Sequence, residues 1–308
     1  MPERTVTRDA ANCLRIDHAA VEVIRALDID SVPSLLLKGP VLTEWLFGGD
    51  RNRRPYVDVD LLVPSHRTGD AQRVLEGIGF TCTRPFDGVL PHGRPRHAAT
   101  WFRGRDGVAV DLPRSIHGAE RVAPDRLWSA ARCPAASIGL LGERVAVPGL
   151  AFRALHVVLH VRPKDAPGTR AWGDLTVALD AVPLATWRCA ADLAAELGLS
   201  STMGALLGRH PRGRSLAGRL GLSCAAPLAM RWEYDRSSEV TRFLAEVLEA
   251  PGIEGLLLAK EKVLPPAAYR AAHPTAGRSR AVRIRRLAPL LRPVRLVRGA
   301  RGPGPRRA

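Results

Sequence analysis

An α+β fold built on a mixed sheet is what this sequence predicts, on three observations. Short apolar, β-prone runs alternate with helical segments up to about Pro148, long Ala- and Leu-rich helical stretches follow, and the last stretch carries charge of one sign only. These observations divide the 308 residues into a strand-bearing domain at 1–148, a helical domain at 149–264 and a basic, flexible tail at 265–308.

The amphipathic run 9–28 predicts a first helix, and "SVPSLLLKGP" a short strand, Leu35 to Leu37, that ends in the turn Lys38-Gly39. Pro40 suits the first position of the next helix, which continues through "VLTEWLF" until Gly48-Gly49 stops it. The basic loop "DRNRRP" leads into a strand from Tyr56 to Val63, a helix from Thr68 to Gly77 and the β-prone piece "FTCT". "HAATWFR" and "VAVDL", separated by "GRDG", predict a hairpin turning at Asp106 and Gly107. Helices are expected at 149–162, 171–182, 185–197 and 238–249.

The formal charge of +16 is localised: thirteen Lys or Arg and no acidic residue lie from Lys262 onward, leaving only +3 for residues 1–261. The body is therefore close to neutral, and the tail has three readings, disorder by default, contact with nucleic acid, or contact with a membrane surface. Five scattered cysteines with no CxxC pair fit a reducing compartment. No signal pattern opens the chain, and no apolar run reaches the roughly 20 residues of a transmembrane helix, so a cytoplasmic protein is expected.

The chemistry is concentrated in "RPYVDVDLLVPS", residues 54–65. Side chains alternate across a strand, so Asp58 and Asp60 share a face, where two neighbouring carboxylates repel each other and resist burial. A divalent cation relieves both costs. Asp111 ends "VAVDL" in the same manner and supplies a third carboxylate if the two strands are neighbours. Three such oxygens suit Mg²⁺, with Mn²⁺ as a substitute, and a bound triphosphate completes the shell. Upstream, Gly39 lets phosphate approach the backbone and Lys38 adds a point charge.

The segments "LLLKGPVLTEWLF", "RPYVDVDLLVPS" and "GVAVDLPRSIHG" together resemble the uncharacterised nucleotidyltransferase family of the DNA polymerase β-like nucleotidyltransferase superfamily. The superfamily has a strand-turn-helix glycine motif, an Asp-x-Asp strand and a third Asp on a later strand. The resemblance implies a polymerase β-like domain with Asp58, Asp60 and Asp111 holding Mg²⁺, closed over by a helical second half. It covers roughly residues 30–115 with specific motifs. Where relatives often continue the third Asp with Leu-His, this chain has Leu112-Pro113, and its next histidine is His117.

The expected reaction is transfer of a nucleoside monophosphate from a triphosphate, with ATP as the expected donor, to an acceptor hydroxyl, releasing pyrophosphate. Lys38 and Gly39 would steady the phosphates, Arg54 would neutralise charge, and Asp111 would also accept the acceptor's proton. The acceptor, whether a small molecule, a protein or an RNA, is not legible. The alternative is a catalytically weak member that binds nucleotide, RNA or protein; a kinase lacks its signature motifs.

Other features are read more plainly. His156 and His160 share a helical face with Arg153, but no third ligand or HExxH glutamate accompanies them, so a polar wall toward the cleft or solvent is expected, with Asp174 as a possible member. "GRHPRGRS", residues 208–215, imitates a phosphate loop, yet it follows a helix and contains Pro211, so a basic interhelical loop is expected.

Overall fold

The computed structural model describes residues 2–86, 97–162, 165, 167–227 and 230. All of these lie in one compact unit formed by residues 1–90 and 95–245; a second unit, 91–94 with 246–308, lies outside the described residues, as do the expected helix 238–249 and the basic tail. Among the described residues no helix is long and apolar enough to cross a membrane.

The chain opens with α1 (Pro2–Ile29), β1 (Leu35–Leu36), α2 (Pro40–Phe47) and β2 (Asp58–Leu62). A 3-10 turn, Ser65–Arg67, precedes α3 (Thr68–Gly77), β3 (Thr81–Arg84), β4 (Ala98–Arg103) and β5 (Val108–Pro113). Then come α4 (Pro124–Arg132), the hairpin β6 (Ala136–Leu140) and β7 (Glu143–Val147), and the helices α5 (Leu150–His160), α6 (Arg170–Ala181), α7 (Leu184–Glu196), α8 (Ser200–Gly208) and α9 (Pro211–Arg219). The fold is α+β with a mixed five-stranded sheet, as the sequence predicts. Its order is β1-β2-β5-β4-β3, parallel only between β2 and β5.

Three elements differ from the sequence reading. Helix α4 and the β6–β7 hairpin go unread, the hairpin because its turn is Leu141-Gly142. Both residues have positive φ, 53° and 84°, a geometry usually announced by Asn-Gly rather than by leucine. The segment 208–215 is not a loop: Pro211 starts α9, where a missing N–H costs nothing, and Arg214 turns back to donate to the Gly208 carbonyl.

Strand alternation separates two cores. Val59, Leu61, Val63, Val108, Val110, Leu112, Ala99 and Trp101 bury one sheet face against the Cys13, Ile16, Ala20, Val23 and Leu27 stripe of α1 and against α3. On the opposite face, Leu35, Leu37 and Leu62 join α2, α4 and the α5–α9 helices in a second core. Each well-buried aliphatic side chain contributes about 1.5–3 kcal/mol. The acidic residues lie on this second face.

Helix α1 also fixes the approach to β2. Asp17, fully buried, accepts from Tyr56 Oη and from Arg51 Nε and Nη2 at 2.9 and 2.6 Å. The Tyr56 amide donates to Cys13 Sγ at 3.3 Å. Burial first pushes the Asp17 carboxyl up, against the pull of Tyr56 and Arg51, so its ionised form depends on those donors. Removing it as Asp17→Ala strands the buried Tyr56 hydroxyl, and chemical denaturation should show a loss of about 1–3 kcal/mol.

Candidate active site

The decisive geometry is the pairing of β2 with β5. Asp58 stands opposite Ala109 and Asp60 opposite Asp111, and residues paired in register point to the same side of a sheet. Asp58, Asp60 and Asp111 therefore share one face, on adjacent strands roughly 4.8 Å apart. Thr100 of β4, opposite Asp111, continues the row, and its hydroxyl favours the ionised form of the Asp111 carboxylate.

Burial and mutual repulsion act on these groups. Burial, then Asp60 and also Asp111, push the Asp58 carboxyl up to about 6, against the pull of Lys38 and Arg170. Asp111 is raised as well, by burial first and then by Asp60, although Thr100 and Lys38 oppose the shift. Its Oδ1 is buried and has no hydrogen-bond partner. The Lys38 ammonium rests on Asp60 Oδ1 at 2.9 Å. Burial alone would lower the amine, but Asp60, Asp58 and Asp111 outweigh it and hold the amine above its ordinary value.

The turn that carries Lys38 flanks β2 on the side away from β5. Leu37 N donates to Asp60 O at 2.9 Å, which docks the end of β1 on β2. Gly39 has φ 59° and ψ −113°, a backbone that a residue with a Cβ rarely adopts, and it lies against the Tyr56 ring and the Asp58 carbonyl. Its own carbonyl accepts from Thr43 Oγ1 at 3.0 Å and from Arg54 Nη1 at 3.2 Å.

Arg54 is tied further. It forms a two-pronged ion pair with Asp174 of α6, Nε to Oδ1 at 2.7 Å and Nη2 to Oδ2 at 2.9 Å, with only 5% and 6% of the two side chains exposed. The sequence suggests a phosphate-neutralising cation at Arg54; the bonds it makes are those of a brace between α6 and the Gly39 turn. Asp174, only a possible member of the wall in the sequence, is the other half of that brace.

His156 and His160 of α5 have ring centroids 6.1 Å apart and lie within electrostatic reach of Lys38 and Arg54. Burial first, then neighbouring positive charge, drives His156 well below its usual range and His160 to about 3, so both are neutral imidazoles at neutral pH. His117 pairs instead with Glu120 at 3.2 Å.

Oxygen donors only, one of them buried and unsatisfied, match the preference of a hard divalent cation. Yet among the described residues no three His, Cys, Asp or Glu side chains are already closed around one point. Lys38 already places a positive charge on Asp60, so filling the site with a cation requires Asp60 to be shared with it or given up by Lys38.

The sequence matches the family described as uncharacterised nucleotidyltransferase over residues 5–209, two thirds of the chain. The chain belongs to this nucleotidyltransferase family. No curated protein matches it. Among solved structures it is similar to the antibiotic-resistance factor ANT(2'')-Ia, at 16% identity over 64% of this chain and 95% of that one, with a TM-score of 0.40. It is also similar to an antigenic nucleotidyltransferase-like protein from Paracoccidioides brasiliensis, at 19% identity over 62% and 91%, with a TM-score of 0.33.

Two substitutions examine the brace and the turn. Asp174→Ala leaves a buried guanidinium unpaired and should cost about 3–5 kcal/mol in a urea titration. Gly39→Ala forces a side chain into a glycine backbone and should cost about 1–3 kcal/mol in the same measurement.

Proposed function

We propose that this nucleotidyltransferase moves a nucleoside monophosphate from a triphosphate, with ATP as the expected donor, to an acceptor hydroxyl in a Mg²⁺-dependent reaction. The observation that carries the reading is the register that puts Asp60 beside Asp111, with Asp58 on the same face. Asp58, Asp60 and Asp111 would hold the divalent cation, which when bound supplies charge neutralisation at the α-phosphate and at the leaving group.

The remaining work falls to this chain's own residues. Lys38 turns from Asp60 toward the β- and γ-phosphates as they arrive, offering them the charge it now gives to a carboxylate. The Gly39 turn lets the phosphates lie close to the backbone, and Arg54, held by Asp174, keeps that turn in place. Asp111 takes the proton as the acceptor oxygen bonds to the α-phosphorus; the bond from that phosphorus to the bridging oxygen breaks, and pyrophosphate leaves.

Incubation with Mg²⁺ and a lysate of acceptors should transfer label from α-labelled but not γ-labelled triphosphate, and Asp58→Asn should reduce transfer at least about a hundredfold. Transfer of the γ label would show phosphorylation instead. The Asp58 shift adds a pH signature. An unfolded Asp ionises near 3.9, roughly, whereas this one is raised to about 6 in the fold. The stability that it contributes is full below the unfolded value and is lost as pH rises through about 6. Thermal melts without divalent cation should show this decline, Asp58→Asn should flatten it, and added Mn²⁺ should oppose it on the high-pH side.

A further inference from the structure

The face that carries the three carboxylates does not end at Asp111. Across it, the row Asp58, Ala109 continues to Phe102 and Thr81, and the row Asp60, Asp111 continues to Thr100 and Arg84. Phe102 is 43% exposed, unusual for a large aromatic in a central strand, and only the small Ala109 separates it from Asp58 along the row. Arg84 and Thr81, on β3, are also exposed.

The direction of the reaction gives this apron a use. The Lys38-Gly39 turn lies on the β1 side of Asp58 and Asp60, and Asp111 lies on the other side. In-line displacement puts the attacking oxygen opposite the leaving pyrophosphate. If the phosphates lie on the turn, the acceptor must come over β5 from the β4 and β3 side, and its hydroxyl then passes Asp111.

We propose that the β4–β3 apron, Phe102 with Thr81 and Arg84, is the acceptor subsite, and that it takes the ring of a neutral or acidic sugar. The inference rests on the nucleotidyl-transfer reading above. A flat aromatic surface with hydroxyl and guanidinium groups at its rim matches a sugar ring, which has an apolar face, a polar edge and the hydroxyl that the reaction needs. Arg84 welcomes a carboxylate or phosphate on that ring and opposes an ammonium. Among the described residues the apron presents the single guanidinium of Arg84, short of the basic track that a nucleic-acid strand would require.

The test uses three matched sugars and the full-length protein. Galactose, galacturonate and galactosamine differ chiefly in charge, and saturation-transfer NMR at slightly acid pH reads their binding directly, without turnover. With Mg²⁺ and a non-hydrolysable ATP analogue present, so that the three carboxylates do not themselves attract the ammonium, galacturonate should bind best and galactosamine least. Phe102→Ala should weaken galacturonate binding about tenfold or more while leaving ATP affinity unchanged, and Arg84→Ala should bring galacturonate down to the level of galactose. The assignment is overturned if none of the sugars binds, if galactosamine binds best, if an oligoribonucleotide displaces galacturonate and is labelled in its place, or if Phe102→Ala binds like the parent. Failure of the transfer reading is separate: there the parent protein moves no α label to any acceptor, whatever the sugars do.

Discussion

Everything at this site depends on the parallel register of β2 against β5. Because side chains alternate, a slip of one residue would set Asp111 on the far face with Val59 and Leu61, in a predominantly apolar core. The observed register does the reverse. It keeps Val59, Leu61, Val108, Val110 and Leu112 in the first core and thereby brings the carboxylates together on the other side. Apolar burial fixes the pairing, and the pairing creates a concentration of negative charge that the fold must then tolerate.

That tolerance is supplied locally. Lys38 answers Asp60, Thr100 answers Asp111, and Asp58 shows the residual cost in its raised affinity for a proton. The scaffold around the acids is correspondingly stiff. Helix α1 grips Tyr56 through Asp17 and Cys13, and α6 grips the Gly39 turn through Asp174 and Arg54. The helical segment is thus coupled to the turn by a buried ion pair as well as by shared apolar core, and moving α6 would move the Gly39 carbonyl.

The sequence made part of this legible. Alternation in "VDVD" put two acids on one face, the hairpin spacing put Asp111 at the end of a strand, and the Lys-Gly-Pro order marked a turn before a helix. That β2 and β5 are neighbours is a long-range fact, suggested by resemblance and seen only in the fold. The Arg54–Asp174 pair joins residues 120 positions apart and leaves no local pattern. Phe102 reads in the sequence as one more strand aromatic, and only its exposure beside the acidic rows sets it apart. The β6–β7 hairpin was hidden by a leucine where turn chemistry asks for asparagine, and α9 by a glycine-rich stretch that imitates a phosphate loop.

The most direct measurement is a crystal structure grown with Mn²⁺ and a non-hydrolysable ATP analogue, with anomalous scattering used to place the metal. A manganese peak is expected within about 2.0–2.6 Å of oxygens from Asp58, Asp60 and Asp111, with Lys38 moved from Asp60 to the phosphates. A nucleotide bound with its metal elsewhere, or with Asp111 outside the coordination shell, would contradict the metal role of the three carboxylates.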